Sequence, residues 1–125
     1  MRGVFLIGCA LVLALATLPA SNAYAGAEGK CKACHKFSDA NSVGPGLKGI
    51  IGRKAGTHPG FNYKFTKYIK GEPWTWDETH LRKWILNSKK AIREFTGNKK
   101  AKTKMPPQHV KGKKADEVIA FLKSL

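Results

Sequence analysis

Acidic residues are scarce in this chain. Eight Asp and Glu stand against 23 Lys and Arg, giving a formal charge of +15 over 125 residues. That balance says nothing about fold, but it draws the protein toward anionic partners through encounters that weaken as salt rises. Cysteine is scarce too, at three residues, which excludes a disulfide-dense scaffold. There is no repeat, no low-complexity tract and no segment whose alternation reads cleanly as a strand. The one long apolar run, Val4 to Leu18, is shorter than the roughly 20 residues needed to cross a bilayer.

That run has a different use. Met1 and Arg2 give a positive start, and the run leads through Pro19 to ASNAYA, which ends in the small-x-small pattern Ala23-Tyr24-Ala25. Residues 1–25 read as a secretory signal peptide cleaved after Ala25. Leu6-Ile7-Gly8-Cys9 resembles a lipidation box, but too few apolar residues precede Cys9, so simple cleavage is the preferred reading. Residues 26–125 then form one small exported domain of 100 residues; the leader removes Arg2 and no acid, so +15 becomes +14. Export makes nucleic acid an unexpected partner, whereas acidic protein surfaces or an anionic membrane face fit. A core of this size is marginal without a staple. A bridge between Cys31 and Cys34, the two remaining cysteines, would close a tiny loop and contribute little.

The organisation points to an all-α domain of three to five short helices joined by long loops. SVGPGLKGIIGRKAGTHPG, from Ser42 to Gly60, is punctuated by glycine and proline and reads as a loop. FNYKFTKYI, Phe61 to Ile69, predicts a short helix with aromatics on one side. Thr75 and Glu78 form a capping box, and Leu81, Trp84, Ile85 and Ser88 recur at helical spacing, so a helix is predicted from Trp76 to about Asn87. Charge dominates from Lys89 to Lys104, with a turn at Gly97-Asn98, and Pro106-Pro107 stiffens the chain just after Met105. KKADEVIAFLKSL predicts a final amphipathic helix with Val118, Ile119, Phe121, Leu122 and Leu125 on one face and Asp116-Glu117 in its first turn. So much loop is out of place in a compact domain unless a large apolar body replaces the missing core.

GKCKACHKF, Gly29 to Phe37, suggests that body. Two cysteines three apart with a histidine behind could serve a disulfide, zinc, a redox dithiol or covalent haem. Zinc wants a second ligand pair, and His58, His80 and His109 are scattered singly. A redox dithiol wants a preceding strand and a βαβ context, which are lacking. CxxCH is the attachment signature of c-type haem: each thiol adds to a vinyl group and the histidine becomes an axial ligand. Export, the lack of any other cysteine in the mature chain and the undersized core all favour haem c, one per chain. Met105 is the only methionine left once Met1 departs, so it is the preferred candidate for the second axial position, with His58, His80 and His109 as rivals and the filling of an irregular core gap as its own alternative use. His/Met ligation is low-spin and leaves no open site for a substrate, so it favours electron transfer over catalysis.

CKACH, GPGLKGIIGRKAG, GFNY, WTWDETHL, AKTKM and ADEVIAFL, in that order from about Lys30 to Leu125, resemble a class I cytochrome c. The extended run closing in AKTKM resembles the larger bacterial periplasmic type. The resemblance implies that Cys31 and Cys34 carry the thioethers, that His35 and Met105 ligate the iron, and that Pro45 accepts a hydrogen bond from the outer nitrogen of His35. It implies that Arg53, Tyr63, Trp76 and Thr103 hydrogen-bond the haem propionates. Packing alone accounts for Phe61, Trp74 and Trp84, and Leu47, Leu81, Val118, Phe121 and Leu122 read as core. The chain departs from the family pattern in four places. The helix before CxxCH is truncated to GAEGK, Trp84 stands where a tyrosine is common, Ser88 where a proline is common, and Pro106-Pro107 where an aromatic often follows.

Lys99, Lys100, Lys102 and Lys104 crowd the loop bearing Met105, with Lys111, Lys113 and Lys114 beyond. As a ring around the haem edge they would steer the protein onto acidic docking surfaces. The expected partners are a quinol–cytochrome c oxidoreductase, a terminal oxidase, a photosynthetic reaction centre or a periplasmic dehydrogenase. The expected protein is a monomeric periplasmic carrier, peripheral at most to the membrane, and not an enzyme. Two rival classes are a five-coordinate haem that binds a gas or peroxide and a basic zinc module.

Overall fold

The computed structural model describes residues 26–125; the leader predicted for residues 1–25 lies outside the described residues. Three α-helices carry the domain: α1 (Gly29–Lys32), α2 (Glu78–Thr96) and α3 (Gly112–Lys123), with one 3-10 turn at Thr66–Tyr68. Among the described residues there is no strand; an isolated antiparallel bridge joins Lys54 to Thr75. The all-α expectation holds.

α2 and α3 pack on each other because each offers one apolar stripe. Leu81, Trp84, Ile85, Ser88, Ala91 and Ile92 are buried on α2, and Ala115, Val118, Ile119 and Leu122 on α3. These spacings of three and four keep the stripe on one side of a 3.6-residue turn. Across the rim of the packed pair, Arg82 bridges Glu78 and Asp116, and Lys123 reaches Glu78 at 2.9 Å. Such exposed pairs fix register more than they stabilise.

Several boundaries differ from the expectation. α2 is capped by Asp77, whose carboxylate accepts from the His80 amide at 2.8 Å, so the Thr75–Glu78 box does not form. Thr75 is held in the extended bridge to Lys54 and cannot turn into the cap. α2 also does not stop at Asn87. That residue kinks the helix with φ −156° and ψ 90°, and its side chain accepts from the Lys90 amide at 2.9 Å, restarting the turn. The helix ends at Gly97, which takes the left-handed φ of 64° that a glycine adopts without a Cβ penalty. α3 starts at Gly112, so Asp116 and Glu117 fall in its second turn.

The short helix predicted over Phe61 to Ile69 reduces to the turn at Thr66–Tyr68. Phe61, Tyr63 and Phe65 instead lead into that turn on non-helical chain, Phe65 serving as its N-cap, with edge-on ring contacts at 4.8 and 5.1 Å. Their spacing of two, where a helix face recurs at three and four, was the signal against a longer helix. The extended pairing of residues 52–55 with 74–76, through Ala55 to Trp74 at 2.8 Å and Trp76 to Arg53 at 2.8 Å, places both tryptophans against the same layer. Phe65, Trp74, Trp76, Trp84 and Phe95 form one aromatic cluster. Shortly after the CKACH segment, Phe37 meets Phe121 of α3 edge-on at 4.7 Å.

Candidate cofactor site

The CKACH segment folds as one helical turn, with the His35 amide bonded to the Cys31 carbonyl at 2.8 Å and the Cys34 amide to the same carbonyl at 3.1 Å. Residues three and four apart share a helix face, so this turn presents Cys31, Cys34 and His35 together. All three line a cavity of about 260 Å³. The segment Thr103 to Pro106, which includes Met105, also lines it, with Pro45, Leu47, Ile50, Tyr63, Trp76 and Trp84.

The His35 ring is fixed by two neighbours. Its Nδ1–H donates to the Pro45 carbonyl at 2.7 Å, which leaves the lone pair on Nε2. Burial holds the imidazole pKa below its ordinary 6.5, with the Pro45 carbonyl opposing, so the ring is a neutral donor at physiological pH. Behind it sits Gly44. A Cβ there would lie 2.6 Å from Nδ1 and 2.9 Å from Nε2. Sequence reasoning read Gly44 only as loop punctuation; its place directly before the histidine-anchoring Pro45 was the available signal.

Both thiols are free. Burial pushes the Cys31 thiol up from its ordinary 9.0; the Glu28 carboxylate adds to this and the helix backbone opposes it. A redox dithiol needs the reverse, a thiolate stabilised at neutral pH. The cysteine environment therefore argues against that chemistry.

Met105 lies opposite in the sequence and on its own strap. Its sulfur accepts from the Trp84 indole N–H at 3.0 Å, and its carbonyl from the Ser88 hydroxyl at 2.6 Å. Tyr63 also faces the cavity, and burial raises its phenol above 10.0 against the His58 backbone and the Arg53 charge, so it remains a protonated donor. Trp76, Thr103 and Pro45 line the cavity. Arg53 does not; its guanidinium donates to the Gly46 carbonyl at 2.9 Å and to the Lys48 carbonyl, knitting the loop that carries Pro45.

Two thiols, one neutral imidazole and one thioether around an apolar cavity fit a covalently attached iron porphyrin. The lining residues include no Asp or Glu, and among the described residues no three His, Cys, Asp or Glu side chains gather as a metal cluster would need. The donor set matches haem ligation and not a tetrahedral zinc site.

Comparison with known proteins agrees with the chemistry. No protein-family profile matches the chain. It is 37% identical over 100 residues to cytochrome c2 of Rhodospirillum rubrum, covering 77% of this chain and 88% of that protein. It is 43% identical over 100 residues to cytochrome c2 iso-2 of Magnetospirillum fulvum, covering 78% and 93%. The solved structure of cytochrome c2 from Rhodospirillum centenum superposes with a TM-score of 0.67 at 30% identity, covering 78% of this chain and 91% of that one. Fold and site together define a monohaem electron carrier with one covalently bound haem c, and not an enzyme. The chain belongs to the class I cytochrome c family.

Proposed function

We propose that residues 26–125 work as a periplasmic one-electron carrier, released from the leader at residues 1–25, with the haem bonded to Cys31 and Cys34 and its iron held between His35 Nε2 and Met105 Sδ. When bound, the haem supplies a one-electron couple. The protein's own groups do the rest: Pro45 sets the His35 tautomer, the aromatic and aliphatic wall excludes water, and Tyr63, Trp76 and Thr103 offer donors to the propionates. The observation that carries this reading is the sharing of one apolar cavity by a neutral imidazole, a lone thioether and two thiols.

The cavity mouth supports a docking role. Val43, 71% exposed, stands there with Ala33, Pro106 and Gln108, and Lys30, Lys64 and Lys104 flank them. A small apolar patch among lysines fits an acidic redox partner: opposite charge steers the encounter and fast dissociation follows. The partner proposed is a quinol–cytochrome c oxidoreductase, a terminal oxidase, a reaction centre or a periplasmic dehydrogenase that presents an acidic face, met by this chain as a monomer.

Absorption spectra of the oxidised and reduced holoprotein test the ligation. A low-spin spectrum with a sulfur-to-iron charge-transfer band is expected, and Met105→Ala should lose the band and bind carbon monoxide rapidly when reduced. A high-spin wild type that binds carbon monoxide at once would end the reading.

A further inference from the structure

The two halves of α2, residues 78–86 and 88–96, do not lie in line. Lys83 and Glu94 form an ion pair, and the Phe95 ring meets the His80 ring edge-on at 4.8 Å and stacks on Trp84 at 6.4 Å. These partners are 11 to 15 residues apart, which in a continuous helix rising 1.5 Å per residue would part them by about 16–22 Å. The kink at Asn87 turns the second half back toward the first, and the contacts exist only in that bent state. The second half begins at Ser88, which has no exposed surface and whose hydroxyl donates to the Met105 carbonyl at 2.6 Å. Beyond it, Lys89 and Arg93 share a cavity of about 360 Å³ with Lys102 and Lys104 of the strap that bears Met105. Among the described residues no carboxylate pairs with any of these four. Like charges on the two sides push them apart. The one acid in residues 88–96, Glu94, is engaged by Lys83 instead.

We propose that residues 88–96 form a latched arm that holds the Met105 strap closed: Phe95 pins its far end among the aromatic rings, the Lys83–Glu94 pair locks it, and Ser88 at its base carries the restraint to the strap. The proposal rests on Met105 being the iron ligand. When the latch releases, repulsion between the four cations drives arm and strap apart. The grip on the Met105 carbonyl then loosens, and the cofactor cavity opens to an outside ligand. Lys83, Glu94 and Phe95 are positioning residues that act on Met105 through the arm.

The rate of imidazole binding to the oxidised holoprotein reads departure of Met105. Glu94→Gln and Lys83→Gln should each bind imidazole about two- to fivefold faster, the factor expected for one exposed ion pair. The two changes move the net charge in opposite directions, so a shared acceleration marks the pair and not the overall charge. Exchanging the residues, Lys83→Glu with Glu94→Lys, should return the rate close to that of the wild type. Glu72→Gln is the control, since Glu72 pairs with Lys54 at 3.9 Å, outside both arm and strap; its rate should match the wild type. Phe95→Ala should accelerate binding by about tenfold or more, as loss of a packed ring requires. Should that variant fail to take up haem, Phe95→Leu supplies the same reading with the apolar volume largely kept. Single charge variants that leave the rate unchanged, or shift it in opposite directions, overturn the lock. A Phe95 variant that binds imidazole at the wild-type rate overturns the pin. A wild type lacking the sulfur-to-iron charge-transfer band would instead defeat the ligation reading beneath both.

Discussion

Replacing Gly44 with alanine tests whether the histidine is held by shape. Gly44 has no positive φ, so alanine carries no backbone penalty there, and the whole effect must come from the ring in front of it. The new Cβ would press hardest on His35 Cε1 and would stand 2.6 Å from Nδ1, where ordinary contact begins near 3.4 Å, so ring and loop must separate by at least about 0.8 Å. Added to the 2.7 Å bond between His35 and Pro45, that displacement reaches the limit of a hydrogen bond. Overpacking costs about 1–3 kcal/mol and the lost bond about 1 kcal/mol, so about 2–4 kcal/mol is expected in all. At about 4–8 °C per kcal/mol for a domain of this size, the melting temperature should fall by about 10–30 °C. Calorimetry of the haem-loaded protein measures it. Gly49→Ala is the comparison, since Gly49 has φ 68° with nothing within 4 Å; it should lose only about 1–2 kcal/mol of backbone strain. A Gly44→Ala protein that melts with the wild type would refute the steric argument.

Two further outcomes follow from the surface groups. Asp77→Ala should cost about 1 kcal/mol near neutral pH through loss of the α2 cap. The His80 amide first, and then its ring, hold the Asp77 carboxyl below its ordinary 3.8. The folded state therefore favours the ionised form, and this contribution is full above the ordinary value and lost as pH falls through the folded one. Urea unfolding should show the wild-type advantage closing in acid, and a constant gap would refute the assignment. Electron transfer to an acidic partner should slow by about tenfold or more from low to high ionic strength, and Lys104→Glu should slow it at low salt; stopped-flow rates that stay flat would remove the docking face.

What could be read from the sequence was local. CKACH specifies its own geometry, because one helical turn brings positions three and four apart to one face. Met105 stood out by scarcity, and α3 by an apolar period that packing on α2 then used. The leader-sized apolar run and the excess of lysine were likewise properties of composition. These readings set the class of cofactor.

Contacts between distant segments were decided only by the closed chain. Trp84 and Ser88 read as one helical stripe, yet their partner is Met105, 21 and 17 residues away. Thr75 lost its capping role to a bridge with Lys54, and Arg53 turned to loop carbonyls instead of the cavity. Gly44 became essential only when a ring came to rest on it. A residue's local preference is worth a few tenths to one kcal/mol, whereas leaving a buried carbonyl or donor unpaired costs about 1–3 kcal/mol. Where the two compete, the burial that folding creates prevails, and nearest-neighbour patterns cannot show which groups it will bury together.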